Sequence, residues 1–107
     1  MSEDRKKQAV EALRISDLFT DEELDFAEFN MHEYAINPYV LPGITAIGMS
    51  PNKVGELIGV DGATLQAKCK NRQIEAYQDF QSWWTIPVTE IIKLKMKQNA
   101  KKDKVYN

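Results

Sequence analysis

Residues 49–95, MSPNKVGELIGVDGATLQAKCKNRQIEAYQDFQSWWTIPVTEIIKLK, decide the fold, because they read in order as helix, tight turn, helix, short hairpin and helix. Ser50 can cap the first helix, and Pro51 suits its first position, where a missing N–H costs nothing. Gly59 can take the left-handed conformation that ends a helix, and Asp61 can cap the next one. Two helices joined by so short a turn cross steeply, so the outer face of the second helix protrudes.

The apolar pattern of the two helices predicts which of their sides face the core. Val54, Leu57 and Ile58 recur at helical spacing in the first helix. In the second helix, Leu65 and Cys69 lie one turn apart and should point inward. We therefore expect Cys69, the single cysteine, to be a small core residue. The residues predicted to point outward are Gly62, Ala63, Gln66, Ala67 and Lys70.

The same stretch resembles the excisionase-type, MerR-like winged helix-turn-helix domains of bacteria and their phages. The resemblance rests on KVGELIGV at 53–60, ATL at 63–65, QIEAY at 73–77 and WWTIP at 83–87, followed by Glu90-Ile91. It covers a little under half of the chain. It implies a DNA-binding protein whose second helix enters the major groove. It also implies a β-hairpin, the wing, that leads through an Ile-Pro step into a closing helix.

Within the wing, we predict strands at 74–77 and 82–86, joined by Gln78, Asp79, Phe80 and Gln81. Trp83 and Trp84 must face opposite sides of the return strand. We expect Trp84 to point inward and Trp83 to lie on the outer face. Relatives often carry Arg or Lys at the wing tip, whereas this tip has a carboxylate that phosphate would repel. Gln78 can still hydrogen-bond to DNA, and Phe80 suggests a protein contact.

The protruding helix supplies the candidate DNA-reading groups. The Gln66 amide can pair bidentately with adenine, and Ala63 or the Thr64 methyl can contact a thymine methyl. Small residues at positions 62 and 63 would let the helix N-terminus approach phosphate. Basic residues near its other end would hold phosphates without specifying sequence. The predicted DNA-binding residues are Gly62, Ala63, Thr64, Gln66, Ala67, Lys68, Lys70, Arg72 and Gln78.

Residues 1–48 form an N-terminal extension that the resemblance does not cover. We predict a helix at 3–15 and a second helix that starts at Thr20 with a Glu23 capping box and ends at Asn37-Pro38. A short strand is predicted at 44–47. Whether these helices pack on the motif or on another chain stays open. We expect the aromatic residues Phe26, Phe29 and Tyr34 to lie in the core. The alternative is a partner-binding surface, for which Phe26, Phe29 and Phe80 are the candidates.

Charge is distributed unevenly along the 107 residues, which have a net charge of −2. Residues 1–33 carry ten acidic and four basic groups, whereas residues 93–107 carry six lysines against Asp103. We expect the basic tail, 96–107, to fray into solvent.

No apolar run reaches the ~20 residues that cross a bilayer, so no membrane partner is expected. The charged N-terminus lacks a secretory pattern, and one cysteine suits a reducing compartment, so we expect a cytoplasmic protein.

The sequence predicts no catalytic or metal site, because it has one histidine, one cysteine and no glycine-rich phosphate loop. No enzyme activity, cofactor or metal is expected.

The predicted class is mainly α with a small β-hairpin (α+β), a winged helix-turn-helix at 49–95. The predicted function is binding of double-stranded DNA, as a transcriptional regulator or an excisionase-like factor of a phage or mobile element. Dimers or cooperative arrays would supply specificity. The alternative is a winged-helix module that binds a host or phage protein.

Overall fold

The computed structural model describes residues 2–35, 45–78 and 81–105 of the chain. Within these ranges the protein is mainly helical with a small antiparallel sheet, which is the predicted α+β class. Among the described helices, none has both the length and the apolar character that crossing a membrane requires. In chain order the elements are α1 (Ser2–Ile15), α2 (Asp21–Asn30), β1 (His32–Ala35), β2 (Thr45–Met49), α3 (Pro51–Ile58), α4 (Gly62–Lys70), β3 (Tyr77–Gln78), β4 (Trp84–Pro87) and α5 (Val88–Val105).

The sheet connects the N-terminal segment to the rest of the chain. Its strand order is β1-β2-β4-β3, and every neighbouring pair is antiparallel. Strand β2, which precedes α3, pairs with β4 through Gly48 opposite Pro87 and Met49 opposite Ile86. A methyl group added at Gly48 would overlap the Ile86 carbonyl oxygen, so the two strands approach closely only because glycine lies there. The predicted strand at 44–47 is confirmed from Thr45 and extends to Met49.

One apolar core holds the helices and the strands β2 and β4 together. Fully buried side chains come from each of the five helices, the α2–β1 junction, β2 and β4; they include Leu13, Met31, Met49, Val54, Leu65, Ile86 and Ile91. Each such burial contributes roughly 1.5–3 kcal/mol. Helix α1 packs against α5 and β2, and α2 packs against α3. The N-terminal helices therefore pack on the motif, one of the two arrangements that the sequence left open.

The predicted helix starts and stops of the motif are confirmed. The Ser50 hydroxyl accepts a hydrogen bond from the Lys53 amide at 3.3 Å, with Pro51 following it. Gly59 ends α3 with φ of 74°, and the Asp61 carboxylate accepts from the Ala63 amide at 3.2 Å.

The capping box of α2 is confirmed in both directions. The Glu23 amide donates to the Thr20 hydroxyl at 3.1 Å, and the Thr20 amide donates to the Glu23 carboxylate at 2.8 Å. The predicted end of this helix is wrong. Helix α2 stops at Asn30, Met31 is extended, and β1 pairs with β2. Leu24, Ala27 and Met31 are buried as the helical pattern required. The helical spacing of apolar residues continues in the sequence beyond Met31. Pairing of this segment with β2 nevertheless makes it a strand, because local helix propensity is a weak preference.

The predicted first strand of the hairpin, 74–77, is also wrong for most of its length. Strand β3 contains only Tyr77 and Gln78. The Glu75 amide donates instead to the carboxylate of Glu90, at 3.1 Å, in the first turn of α5. Glu90 is buried, with 8% exposure, and pairs with Lys93 at 3.0 Å. This bond holds the chain against α5 and away from β4 before the strand begins.

The aromatic residues of α2 do not share one environment. Phe26 is partly buried against the core, whereas Phe29 is 82% exposed. The expectation of a core position for Phe29 is therefore wrong. Helix α2 buries Ala27, and a residue two positions later lies on the opposite side, because successive helical residues rotate by about 100°. The side chain of Tyr34 lies outside what the structure describes.

Helix α5 continues well past the point where the sequence predicted a frayed tail. The sequence predicted fraying from Met96, and the structure has α5 helical as far as Val105. Its side chains hold it to the domain: the Gln98 amide donates to the Ile58 carbonyl oxygen at 2.6 Å. Lys95 pairs with Glu23 at 3.7 Å and lies 5.8 Å from the centre of the Phe19 ring.

The substitution Gly55→Ala tests the close packing of α3 on the following turn. Its methyl group would overlap the Val60 carbonyl oxygen. We expect the free energy of unfolding to fall by about 1–3 kcal/mol in urea titrations, because overpacking forces backbone shifts. Thr64→Ala, at an exposed helical position, serves as the control and should change stability by less than ~0.5 kcal/mol. A gain of about 1 kcal/mol for Gly55→Ala, the ordinary helix-propensity effect, would contradict the close approach.

Candidate functional site

The site is built on the turn between α3 and α4. The amides of Gly59 and Val60 both donate to the Gly55 carbonyl oxygen, at 2.8 and 2.9 Å. This turn brings Gly62 against α3, where an added methyl group would lie 2.9 Å from the Asn52 Cα atom. The two helices can approach this closely because neither glycine has a side chain.

Helix α4 buries one side and exposes the other, as predicted. Leu65 and Cys69 are each 1% exposed, so they anchor the helix in the core. Burial raises the pKa of the Cys69 thiol, because the thiolate would be poorly solvated there. This residue is confirmed as a buried core side chain. A thiol with this environment is a poor nucleophile at neutral pH.

The exposed face of α4 has small residues along its centre and polar residues at its sides. Rotation of about 100° per residue places Ala63, Ala67 and Lys70 opposite the buried side. Gln66 lies on one flank and Lys68 on the other. The exposed side chains of this face are Ala63, Thr64, Gln66, Ala67 and Lys70, and Lys68 is partly buried. We call these six residues the α4 face. Two alanines at its centre would let the helix approach a flat or grooved surface closely.

The C-terminal end of α4 is closed by two backbone hydrogen bonds. The Gln73 amide donates to the Lys68 carbonyl oxygen at 2.9 Å, and the Arg72 amide donates to that of Cys69 at 3.2 Å. This is the Schellman arrangement, in which the residue after the cap is left-handed and is usually glycine. Here it is Arg72, with φ of 61°, and its side chain is exposed. Arg72 therefore extends the basic end of the α4 face.

The N-terminus of α4 does not match its predicted role. Gly62 is partly buried against Asn52, so its missing side chain serves helix packing. The Asp61 carboxylate occupies the helix end and accepts from the Ala63 amide. A carboxylate at this position repels phosphate. The expected approach of Gly62 and Ala63 to a phosphate is therefore disfavoured.

The hairpin also uses one of the predicted DNA-contacting groups internally. The Gln78 side-chain amide donates to the Ser82 carbonyl oxygen at 3.1 Å and braces the hairpin. The structure therefore gives this amide a structural role. Asp79 and Phe80, the predicted tip residues, lie outside the described residues.

A cleft that the sequence did not predict lies between the start of α3, α4 and the segment that leads into β4. Its volume is about 110 Å³. The residues that line it are Ser50, Pro51, Asn52, Gln66, Ser82, Trp83 and Trp84. Trp84 packs partly against the core, as expected, and Trp83 is 66% exposed. The alternation of side chains in the sequence indicated that one of the two tryptophans faces outward. It could not predict that Trp83 would lie beside residues of α3 and α4.

The chemistry available on this side of the protein is charge and hydrogen bonding. Lys68, Lys70 and Arg72 form a basic end, and the cleft residues carry no ionisable group. The ranges that the structure describes contain no group of three or more acidic, histidine or cysteine side chains arranged so that it could hold a metal ion.

Comparisons with protein-family models, with curated proteins and with solved structures found no match to this chain. The resemblance to excisionase-type domains therefore remains an interpretation of the sequence motifs named for it.

The left-handed position of Arg72 gives a stability prediction. We expect Arg72→Gly to raise the free energy of unfolding by about 1 kcal/mol, because glycine adopts positive φ without the Cβ clash. For a chain of this size that corresponds to a rise in Tm of about 4–8 °C, measured by thermal unfolding followed by circular dichroism. Ala67→Gly, in the helical interior of α4, should do the reverse and cost about 1 kcal/mol. Equal destabilisation by both glycines would show that Arg72 is not strained.

Proposed function

We propose that the chain is a winged helix-turn-helix protein that binds double-stranded DNA, with α4 in the major groove. The observation that carries this proposal is the α4 face. It presents small and polar side chains next to a basic end, while Leu65 and Cys69 fix the helix in the core. A recognition helix needs this combination of a rigid buried side and a narrow exposed side.

Specific and non-specific contacts would come from different parts of this surface. Gln66 is exposed and carries an amide suited to bidentate pairing with adenine. Ala63 and Thr64 offer methyl groups for thymine. Lys70, Lys68 and Arg72 would contact phosphates and position the helix without reading sequence.

The charge balance predicts how such a protein would use DNA. Residues 1–33 have six more acidic than basic groups, so the basic surface is local and non-specific binding should be weak. One domain also reads few base pairs, and a dimer or a cooperative array on repeated sites would supply specificity. Both a transcriptional regulator and a recombination factor of a phage or mobile element use DNA in this way.

The test is a binding titration with two duplexes, one of random sequence and one selected from a random pool by the wild-type chain. The double variant Lys68→Ala/Lys70→Ala should weaken binding to both duplexes. It should also make the slope of log K against log salt shallower by about 2, because two fewer counterions are released. Gln66→Ala should lose about 1–3 kcal/mol on the selected duplex and almost nothing on the random one.

A matched control removes the same charge from another element. Lys6→Ala/Lys7→Ala lies on α1, outside the α4 face, and should leave the salt slope unchanged. Equal effects of the two lysine pairs would indicate a general charge effect. Unchanged binding in both the α4 lysine variant and Gln66→Ala would refute α4 as the reading helix.

A second candidate function, binding to another protein, is favoured by the surface of α2. Phe29 is 82% exposed on a helix whose first turn holds Asp21, Glu22 and Glu23. Asp25 and Glu28 are exposed on the same helix. An apolar ring among carboxylates suits a partner with a basic rim and an apolar pocket. Phe26, partly buried beside the core, would support the ring from below.

Salt dependence separates the two functions. Affinity for DNA should fall steeply between low and physiological salt, since phosphate contacts release counterions. A contact centred on the apolar Phe29 ring would depend less steeply on salt than DNA binding does. The partner's binding isotherm should show a lower affinity for Phe29→Ala. If Phe29→Ala weakens DNA binding as much as Lys68→Ala/Lys70→Ala does, the two surfaces are not separate and this division is wrong.

A further inference from the structure

The cleft beside α4 combines features that differ from those of the basic end. Its lining contains two side-chain amides, two serine hydroxyls and two indoles, and none of these groups is ionisable. Gln66 belongs both to the α4 face and to the cleft, so the two surfaces are continuous. Lys70 lies one helical turn beyond Gln66 and carries the nearest α4 charge on that flank.

Neutral donors and an exposed indole are suited to one part of a DNA duplex. Serine, asparagine and glutamine side chains are common donors to phosphate oxygens, and sugar contacts accompany them. An indole offers a flat apolar face for a deoxyribose ring. The cleft also lies to one side of α4, where the strand that borders an occupied groove must run.

We propose that this cleft receives the sugar–phosphate backbone of the DNA strand bordering the groove that α4 enters. The Trp83 indole lies against a deoxyribose, and the Asn52 amide and the Ser82 hydroxyl donate to a phosphate oxygen. This inference rests on the proposed function and adds to it the residues that fix the hairpin on DNA. It assigns the hairpin contact to Ser82 and Trp83, which lie directly before β4. The Gln78 side-chain amide is already bound to the Ser82 carbonyl oxygen.

Charged and uncharged contacts with DNA can be distinguished by their salt dependence. Lysines gain affinity by releasing counterions, so their removal changes the salt slope. Trp83 and Asn52 carry no charge, so their truncation should lower affinity while the slope stays the same. Replacing Asn52 by its isosteric acid should do more, because it places a carboxylate beside a phosphate.

The experiment uses the full chain and a random-sequence duplex over a range of salt concentrations. Trp83→Ala should weaken binding about tenfold with an unchanged salt slope, as buried interfacial aromatics do when truncated. Asn52→Asp should weaken binding by at least as much at low salt. The matched controls are Ile15→Ala, which removes another exposed apolar side chain on α1, and Gln8→Glu, which adds the same charge there. Both controls should bind as the wild type does.

Fluorescence gives a second readout that does not depend on truncation. In Trp84→Phe, Trp83 is the single tryptophan, and DNA should change its emission and protect it from iodide quenching. The cleft assignment would be overturned if Trp83→Ala bound DNA as the wild type does and DNA left Trp83 unprotected from iodide. If Lys68→Ala/Lys70→Ala still lost affinity, the proposed function would remain intact. That result would also be expected if the cleft held a protein. A wild-type chain that binds no duplex would overturn both.

Discussion

The close contact between α3 and the start of α4 is the constraint on which the rest of the structure depends. It exists because Gly55 and Gly62 present no side chain to Val60 and Asn52. If the helices moved apart, Leu65 and Cys69 would leave the core and the α4 face would lose its fixed orientation. The cleft would change as well, because its residues come from the start of α3, from α4 and from the segment that leads into β4. Two missing methyl groups thus determine both the stability and the shape of the candidate surface.

Sequence features that act within one turn of helix could be predicted, and features that depend on distant pairing could not. The caps at Ser50, Thr20 and Asp61 involve neighbours two or three residues away, so composition and spacing determine them. The end of α2 depends on β2, which lies beyond it in the chain. Its apolar spacing continued to favour a helix while strand pairing required an extended chain. No local pattern could decide between the two.

The candidate site shows the same division between local and distant information. The exposed and buried sides of α4 follow from helical periodicity, and the structure agrees with the sequence there. The role of Glu90 does not, because its carboxylate accepts from the amide of Glu75, fifteen positions earlier. The cleft was missed for a related reason. In the sequence, Asn52 looks like an ordinary helix residue and Ser82 like an ordinary loop residue. The fold brings both of them to Gln66.

The proposed function would combine two kinds of contact with a polyanion on this surface, and they need different residues. Lysines and Arg72 at the end of α4 attract phosphate over a distance of about one Debye length, but they hold it loosely. Hydroxyls, amides and an indole act only in contact, where shape determines the gain. Because the N-terminal segment is acidic, long-range attraction of this chain to DNA would be weak, and groups that act in contact would contribute more to the affinity. An uncharged cleft beside a small basic end is consistent with that requirement.

Backbone conformation is a separate observation that bears on the proposed binding surface. Three residues other than glycine have positive φ in the described chain: Asp17, Arg72 and Ser82. Asp17 follows α1, and aspartate tolerates this conformation better than most residues. Arg72 and Ser82 instead lie at the end of α4 and at the cleft, where glycine would be less strained. Sequences that are locally consistent elsewhere tend to break the rule where function requires a side chain. The arginine at this left-handed position is therefore consistent with the phosphate contact proposed for its side chain.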